Sequence, residues 1–113
     1  MTSGTGQRQP GRDSLQPRVV WLHKDLEQLV IRFLRRKEGD VQRMRAALLD
    51  EDFDSIERAG HDLKGAGEGF GFPELSVLGA KLELAARSRD KKLLEAHFAT
   101  MERYLKRIQV RFN

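Results

Sequence analysis

The stretch Gly60–Leu75, GHDLKGAGEGFGFPEL, places a lysine three residues after a histidine and a glycine four residues after it, with further glycines at 67, 69 and 71. Residues of these types can handle phosphate in two ways. In the first, a glycine-rich loop bares its main-chain N–H groups to cradle a nucleotide, and a lysine reaches the phosphates. That pattern needs its lysine after the last glycine, followed by Ser or Thr, whereas Lys64 precedes the run. The dinucleotide-binding fingerprint fails as well, because Phe70 stands where the third glycine counted from Gly65 belongs, and no strand leads in. In the second way the stretch is a helix, and His61, Lys64 and Gly65 share one face at i, i+3 and i+4. A neutral imidazole is a competent nitrogen nucleophile near neutral pH, and an ammonium one turn away can pair with phosphoryl oxygens. Bare backbone at Gly65 leaves room for a second protein over the ring.

A helix through this segment has to offset its glycines, each of which costs on the order of 1 kcal/mol relative to alanine in a helix interior. The apolar series Phe53, Ile56, Gly60, Leu63, Gly67, Phe70 recurs every three or four residues, so Gly60 and Gly67 fall on the buried stripe, where a missing side chain admits a neighbouring helix. Arg58, His61, Lys64, Gly65 and Glu68 then form one outward face. Gly69 and Gly71 are expected to loosen and end the helix ahead of Pro73, which suits the first turn of the next one. Asp50, Asp52 and Asp54, in DEDFDS, suit the turn and N-cap at its start.

Three more helices are expected around this one. Leu22, Leu26, Leu29 and Phe33, continued by Val41, Met44 and Leu48, predict helix over 19–49, passing Lys37 and Gly39 with a possible bend. Leu75, Leu78, Leu82 and Ala85 make the next stripe, with Gly79 or Ala80 allowing close approach. Leu94, Phe98, Met101, Leu105, Ile108 and Phe112 alternate spacings of four and three, predicting a last helix to the end of the chain. No strand or hairpin signal is read. The expected fold is all-α: an up-and-down antiparallel four-helix bundle with a long or broken N-terminal helix, spanning 18–113. Residues 1–17 hold one large aliphatic, Leu15, and read as a disordered arm.

The bulk properties set bounds on function. The 113 residues suit one domain, and the absence of cysteine excludes disulfides and thiolate metal sites. No apolar run approaches a transmembrane length and no leader is recognised, so the expected compartment is the cytoplasm. The net charge of +4 is spread among interleaved acids and no recognition-helix motif accompanies it, so nucleic acid is not an expected partner. Arg35, Arg36 and Lys37 are candidates for attracting an acidic protein surface. His23 and His97 flank apolar stripes without i, i+4 partners and are read as structural, so no metal site is expected. Trp21 and Tyr104 are expected to pack at the bundle's edges.

Taken together, these residues resemble the histidine-containing phosphotransfer (HPt) domains of bacterial phosphorelays. The family's motif of histidine, any residue, hydrophobic, lysine, glycine, and a second glycine ten residues after the histidine matches His61, Leu63, Lys64, Gly65 and Gly71. The similarity covers roughly residues 22–110, including the lead-in helix and the LSVLGAKLELAARSRD segment. The resemblance implies a phosphoryl carrier rather than an enzyme. His61 would accept a phosphoryl group from a receiver-domain aspartate, usually on Nε2, and pass it to another receiver. Lys64 would be the charge partner and Gly65 the clearance position, with Arg58 and Glu68 facing the partner. The implied partners are response-regulator receivers and a hybrid histidine kinase, with Mg²⁺ supplied by the receiver and no cofactor of the chain's own. With four helices in one chain, a monomer is expected. The alternative is a helical adaptor that binds a regulator or kinase without being phosphorylated, which would have no need of a nucleophile.

The sequence departs from common members in its GAGEGFGF segment and in Glu68 on the active face. An acid beside a phosphohistidine is expected to shorten its lifetime or set partner preference. Phosphohistidine half-lives in Glu68→Gln and wild type measure the first effect, and equal values would remove it.

Overall fold

The computed structural model of the protein describes residues 18–112. The proposed arm, residues 1–17, lies outside the described residues. The chain begins with strand β1 (Arg18–Leu22) and a 3-10 turn (Lys24–Leu26), continues through helices α1 (Glu27–Leu49), α2 (Phe53–Phe70), α3 (Pro73–Arg87) and α4 (Lys91–Arg107), and closes with strand β2 (Ile108–Phe112).

Each helix starts and stops for a local chemical reason. Asp52 caps α2 by accepting from the Ser55 N–H at 3.2 Å, and Asp90 caps α4 by accepting from the Leu93 N–H at 3.1 Å. The end of α2 is set by Gly71 alone, at φ 84°, where a side chain would be strained. There the Phe72 N–H donates to the Gly67 carbonyl at 2.7 Å and the Gly71 N–H to that of Glu68 at 3.4 Å, the paired bonds of a Schellman motif. Pro73 follows in the first turn of α3, where its missing N–H costs no hydrogen bond. Gly69, expected to loosen this end, lies within α2 at a helical φ and is not needed for the turn.

Helices α2 and α3 run antiparallel, as residue pairings across their interface indicate. Between α2 and α3 the contacts pair Gly60 with Glu83, Lys64 with Gly79, and Gly67 with Ser76, rising along one helix and falling along the other. A Cβ built on Gly60 would meet the Glu83 nitrogen at 2.7 Å and the Gly79 oxygen at 2.8 Å, and one on Gly67 the Ser76 nitrogen at 2.5 Å. A Cβ on Gly79 would collide with the Lys64 backbone. These two helices therefore touch backbone to backbone, and their register has little freedom. Helix α1 joins them through Phe33, whose ring stacks on Phe70 and Phe72 at centroid distances of 4.5 and 5.7 Å. Arg45 fixes α1 to α4 by donating through two nitrogens to Glu102, at 2.8 and 3.2 Å.

Several further expectations are corrected. The first α-helix begins at Glu27, not at 19: residues 19–22 belong to β1 and Lys24–Leu26 form the 3-10 turn, while α4 stops at Arg107 instead of continuing to Phe112. The two strands pair in parallel with Arg18 opposite Ile108 and Leu22 opposite Phe112. Val20 and Leu22 in β1, and Ile108, Val110 and Phe112 in β2, pack on the core, while Val19 and Trp21 face outward. That is the period-two alternation of half-buried strands, carried by β-branched and aromatic residues. Trp21 is 64% exposed and does not pack, whereas Tyr104 is buried. In α1 the buried stripe is Val30, Phe33, Lys37, Val41, Met44 and Leu48, continuous past Gly39, while Leu26 and Leu29 are exposed.

Lys37 is a further correction. It is buried, its ammonium donating to Asp40 at 2.8 Å and lying 5.0 Å from the Phe33 ring centroid. It is thus a core cation and not a docking residue, while Arg35 and Arg36 are exposed as expected. Burial alone would push the Asp40 carboxyl up, but hydrogen bonds from Lys37 and Arg43, with their charges, outweigh it and hold the group below its ordinary value.

The close approach of α2 and α3 predicts opposite effects from the same substitution at two glycines on one helix. Gly67→Ala is expected to destabilise the protein by about 1–3 kcal/mol through overpacking, read as a lower urea midpoint. Gly65→Ala, whose Cβ would meet nothing within 4 Å, is expected to be neutral or to stabilise by up to about 1 kcal/mol. Equal losses would contradict the backbone-to-backbone interface.

Candidate phosphotransfer site

His61 projects from the middle of α2, between two residues held inside the bundle, Gly60 and Leu63. Its own side chain is 69% exposed. Arg58, Lys64, Gly65 and Glu68 are exposed on the same helix, so the outward face read from spacing is present as a surface. Lys64 lies one turn beyond the ring with its ammonium outside any ion pair among the described residues. It is free to meet an arriving anion.

The structure adds residues that spacing within α2 could not identify. The Nδ1 atom of His61 lies 3.3 Å from Glu83 Oε2 on α3, and that carboxylate is only 18% exposed. Arg87, one turn further along α3, approaches the same oxygen at 3.2 Å. The Arg87 Nε also donates to Glu57 Oε2 at 3.0 Å, and Glu57 lies one turn before His61 on α2. His61, Glu83, Arg87 and Glu57 thus form a chain of polar contacts across two helices. A carboxylate beside Nδ1 favours the tautomer that keeps its proton there, leaving the lone pair on Nε2, at the far side of the ring. Glu83 owes its place to the α2–α3 register, because Gly60, its backbone contact, immediately precedes His61. Among sequence signals only the i, i+4 pairing of Glu83 with Arg87 was available, and it does not say which helix the pair faces.

The face around the ring is open. The added Cβ at Gly65 would meet nothing within 4 Å. A cavity of about 300 Å³ lies between α1 and α2, lined by Lys37, Asp40 and Met44 on one side and Ala59, Asp62 and Leu63 on the other. The remaining histidines have local duties. His23 caps the 3-10 turn, its Nδ1 accepting from the Asp25 N–H at 3.1 Å. His97 is partly buried between α3 and α4, and burial, with the nearby Lys81 charge, pushes its pKa down.

A solvent-facing histidine on a bundle helix, with a lysine at i+3 outside any ion pair among the described residues and bare backbone at i+4, is an arrangement able to carry a phosphoryl group. The family model of the Hpt domain matches residues 28–111. The chain belongs to the Hpt domain family. No curated protein and no solved structure matches it. Hpt domains are phosphocarrier modules of two-component phosphorelays, so histidine phosphotransfer is the activity to which this fold and sequence belong. In this Hpt domain no helix among the described residues is long and apolar enough to cross a membrane.

The pairing of His61 with Glu83 predicts a tautomer. In the neutral ring, proton–nitrogen correlation spectra are expected to place the proton mainly on Nδ1 in wild type. Glu83→Ala is expected to shift the population toward the Nε2–H form. An unchanged tautomer ratio would mean that Glu83 does not orient the ring.

Proposed function

We propose that His61 accepts a phosphoryl group from the aspartyl phosphate of one receiver domain and returns it to the aspartate of another. The observation that carries this reading is the geometry of the ring: Nδ1 lies 3.3 Å from Glu83 Oε2 while the side chain stays 69% exposed. The Nε2 lone pair attacks phosphorus, the bond between phosphorus and the aspartyl oxygen breaks, and the carboxylate leaves with the electron pair. The proton on Nδ1 stays where it is, so the ring gains positive charge as the bond forms. Glu83 faces that charge. Lys64 is the partner for the phosphoryl oxygens, and Gly65 lets the donor's active site descend onto the ring. Discharge is the same step reversed on a second receiver.

Such a step is mainly positioning and charge stabilisation, which a small bundle can provide while the receiver supplies carboxylates and Mg²⁺. In this reading the chain is a monomeric carrier working in the cytoplasm between a hybrid kinase and its regulators. Its basic residues do not argue for nucleic acid: Lys37, Arg45, Arg87 and Lys91 are each paired with a carboxylate. Arg58 and Glu68 complete the partner-facing surface.

The test is incubation with a panel of phosphorylated receiver domains, followed by measurement of acid-labile, base-stable label. Wild type is expected to be labelled and His61→Gln to carry none. Lys64→Ala is expected to slow transfer by about tenfold, the value of one charge-assisted contact of about 1.5 kcal/mol. Absence of label on wild type, or equal label on His61→Gln, would leave the non-phosphorylated adaptor as the reading.

A further inference from the structure

The outer groove between α3 and α4 is lined by apolar side chains that the core does not use. Val77 and Leu84 on α3 and Leu93 on α4 are exposed and stand outside the core cluster. They gather around two hollows between these helices. One, of about 290 Å³, lies between Val77 and Leu78 of α3 and Thr100 of α4. The other, of about 200 Å³, lies between Leu84 of α3 and Leu93 and His97 of α4. Lys81 borders both hollows, so they join into one groove with an ammonium at its middle.

The spacing of these features suits a helix. Val77 and Leu84 are seven residues apart, about 10.5 Å at 1.5 Å per residue, which is also the rise between positions i and i+7 of a second helix laid alongside. Each hollow then receives one apolar side chain. Lys81, between them in sequence, is exposed and makes no ion pair or hydrogen bond among the described residues. Burial, and after it the charge of Lys81, pushes the His97 pKa down, so the ring on the other wall adds no second cation near neutral pH. A carboxylate midway between the two apolar anchors of the occupant meets the Lys81 ammonium. The groove is also clear of the phosphotransfer site, because Glu83, which faces His61, and Leu84 are successive residues about 100° apart around α3.

We propose that the α3–α4 groove docks an amphipathic helix of a partner protein, with two apolar residues seven apart seated in the hollows and an acidic residue between them paired to Lys81. The chain does not supply this helix itself. In residues 1–17 the position seven before Leu15 is Arg8, so that segment has no second apolar anchor at the required spacing. A second copy turned about a two-fold axis would bring Lys81 against its own mate at the middle of the groove. A partner held on α3 and α4 leaves His61 on α2 open.

The experiment uses two fluorescein-labelled, alanine-based helical peptides of about four turns, each with leucine at i and i+7, one with glutamate and the other with lysine at i+4. Anisotropy titrations against the full chain read affinity, and nitrogen–proton correlation spectra locate the bound peptide. The glutamate peptide is expected to bind about tenfold more tightly than the lysine peptide, with shifts at Val77, Leu84 and Leu93 and none at His61. Leu84→Ser is expected to weaken binding about fivefold without lowering the melting temperature. Lys81→Glu is expected to reverse the preference between the peptides, which a loss of fold could not do. Equal affinity for the two peptides, no binding at about 1 mM, or shifts centred on α2 would overturn the inference. Sedimentation in which wild type self-associates and Leu84→Ser does not would also overturn it, by giving the groove to a second copy. None of these readouts depends on phosphorylation, so the outcome is separate from that of the carrier reading.

Discussion

The structure depends on the contact between the backbones of α2 and α3. Gly60 and Gly67 on one helix and Gly79 on the other leave no space for a Cβ, so the two helices meet at a distance that no other residue type permits. A contact of that kind is unforgiving along the helix axis as well as across it. Sliding by one residue would bring side chains into the positions that glycine keeps clear. The register it fixes brings Glu83 of α3 to the residue after Gly60, which is His61. The polar group at the ring is therefore a consequence of packing in the core, several ångströms beneath the surface where the chemistry is proposed to occur.

This arrangement divides the glycines of α2 by what lies outside them. Facing inward, they let a neighbouring helix approach, and the loss of side-chain packing is offset by contact between main chains. Facing outward, Gly65 and Gly69 receive no such return from the folded chain. Gly71 does a third job, taking a backbone conformation at φ 84° that ends the helix. Helical propensity treats all of these as defects. Their placement separates glycines that the interior requires from glycines at the surface whose Cβ would meet nothing in the chain.

Much of this was legible in the sequence because it depends on relations within one helix. The outward face of Arg58, His61, Lys64, Gly65 and Glu68 follows from helical spacing, as do the inward positions of Gly60 and Gly67. Glu83 was not legible, because its meeting with His61 requires the register between two helices. Lys37 was misread for a similar reason: spacing alone places it on the buried stripe of α1, but only the fold supplies Asp40 and the Phe33 ring to satisfy it there. The strands were missed although their alternation was present. Val19 to Leu22 and Ile108 to Phe112 are short, and each could be read as the extension of a strong adjacent helical stripe. What decides for strand is pairing between segments at opposite ends of the chain, a contact that no local pattern contains.

The proposed chemistry asks little of the protein beyond orientation. One nitrogen of His61 is turned toward a carboxylate that Arg87 and the bundle hold in place, and the other is left to solvent and the partner. The most direct test of that claim is nitrogen-resolved NMR of the imidazole ring after phosphorylation by a receiver. A phosphoryl group on Nε2 of His61, with the proton retained on Nδ1, is the predicted result. Phosphorylation at Nδ1, or on a residue other than His61, would contradict it.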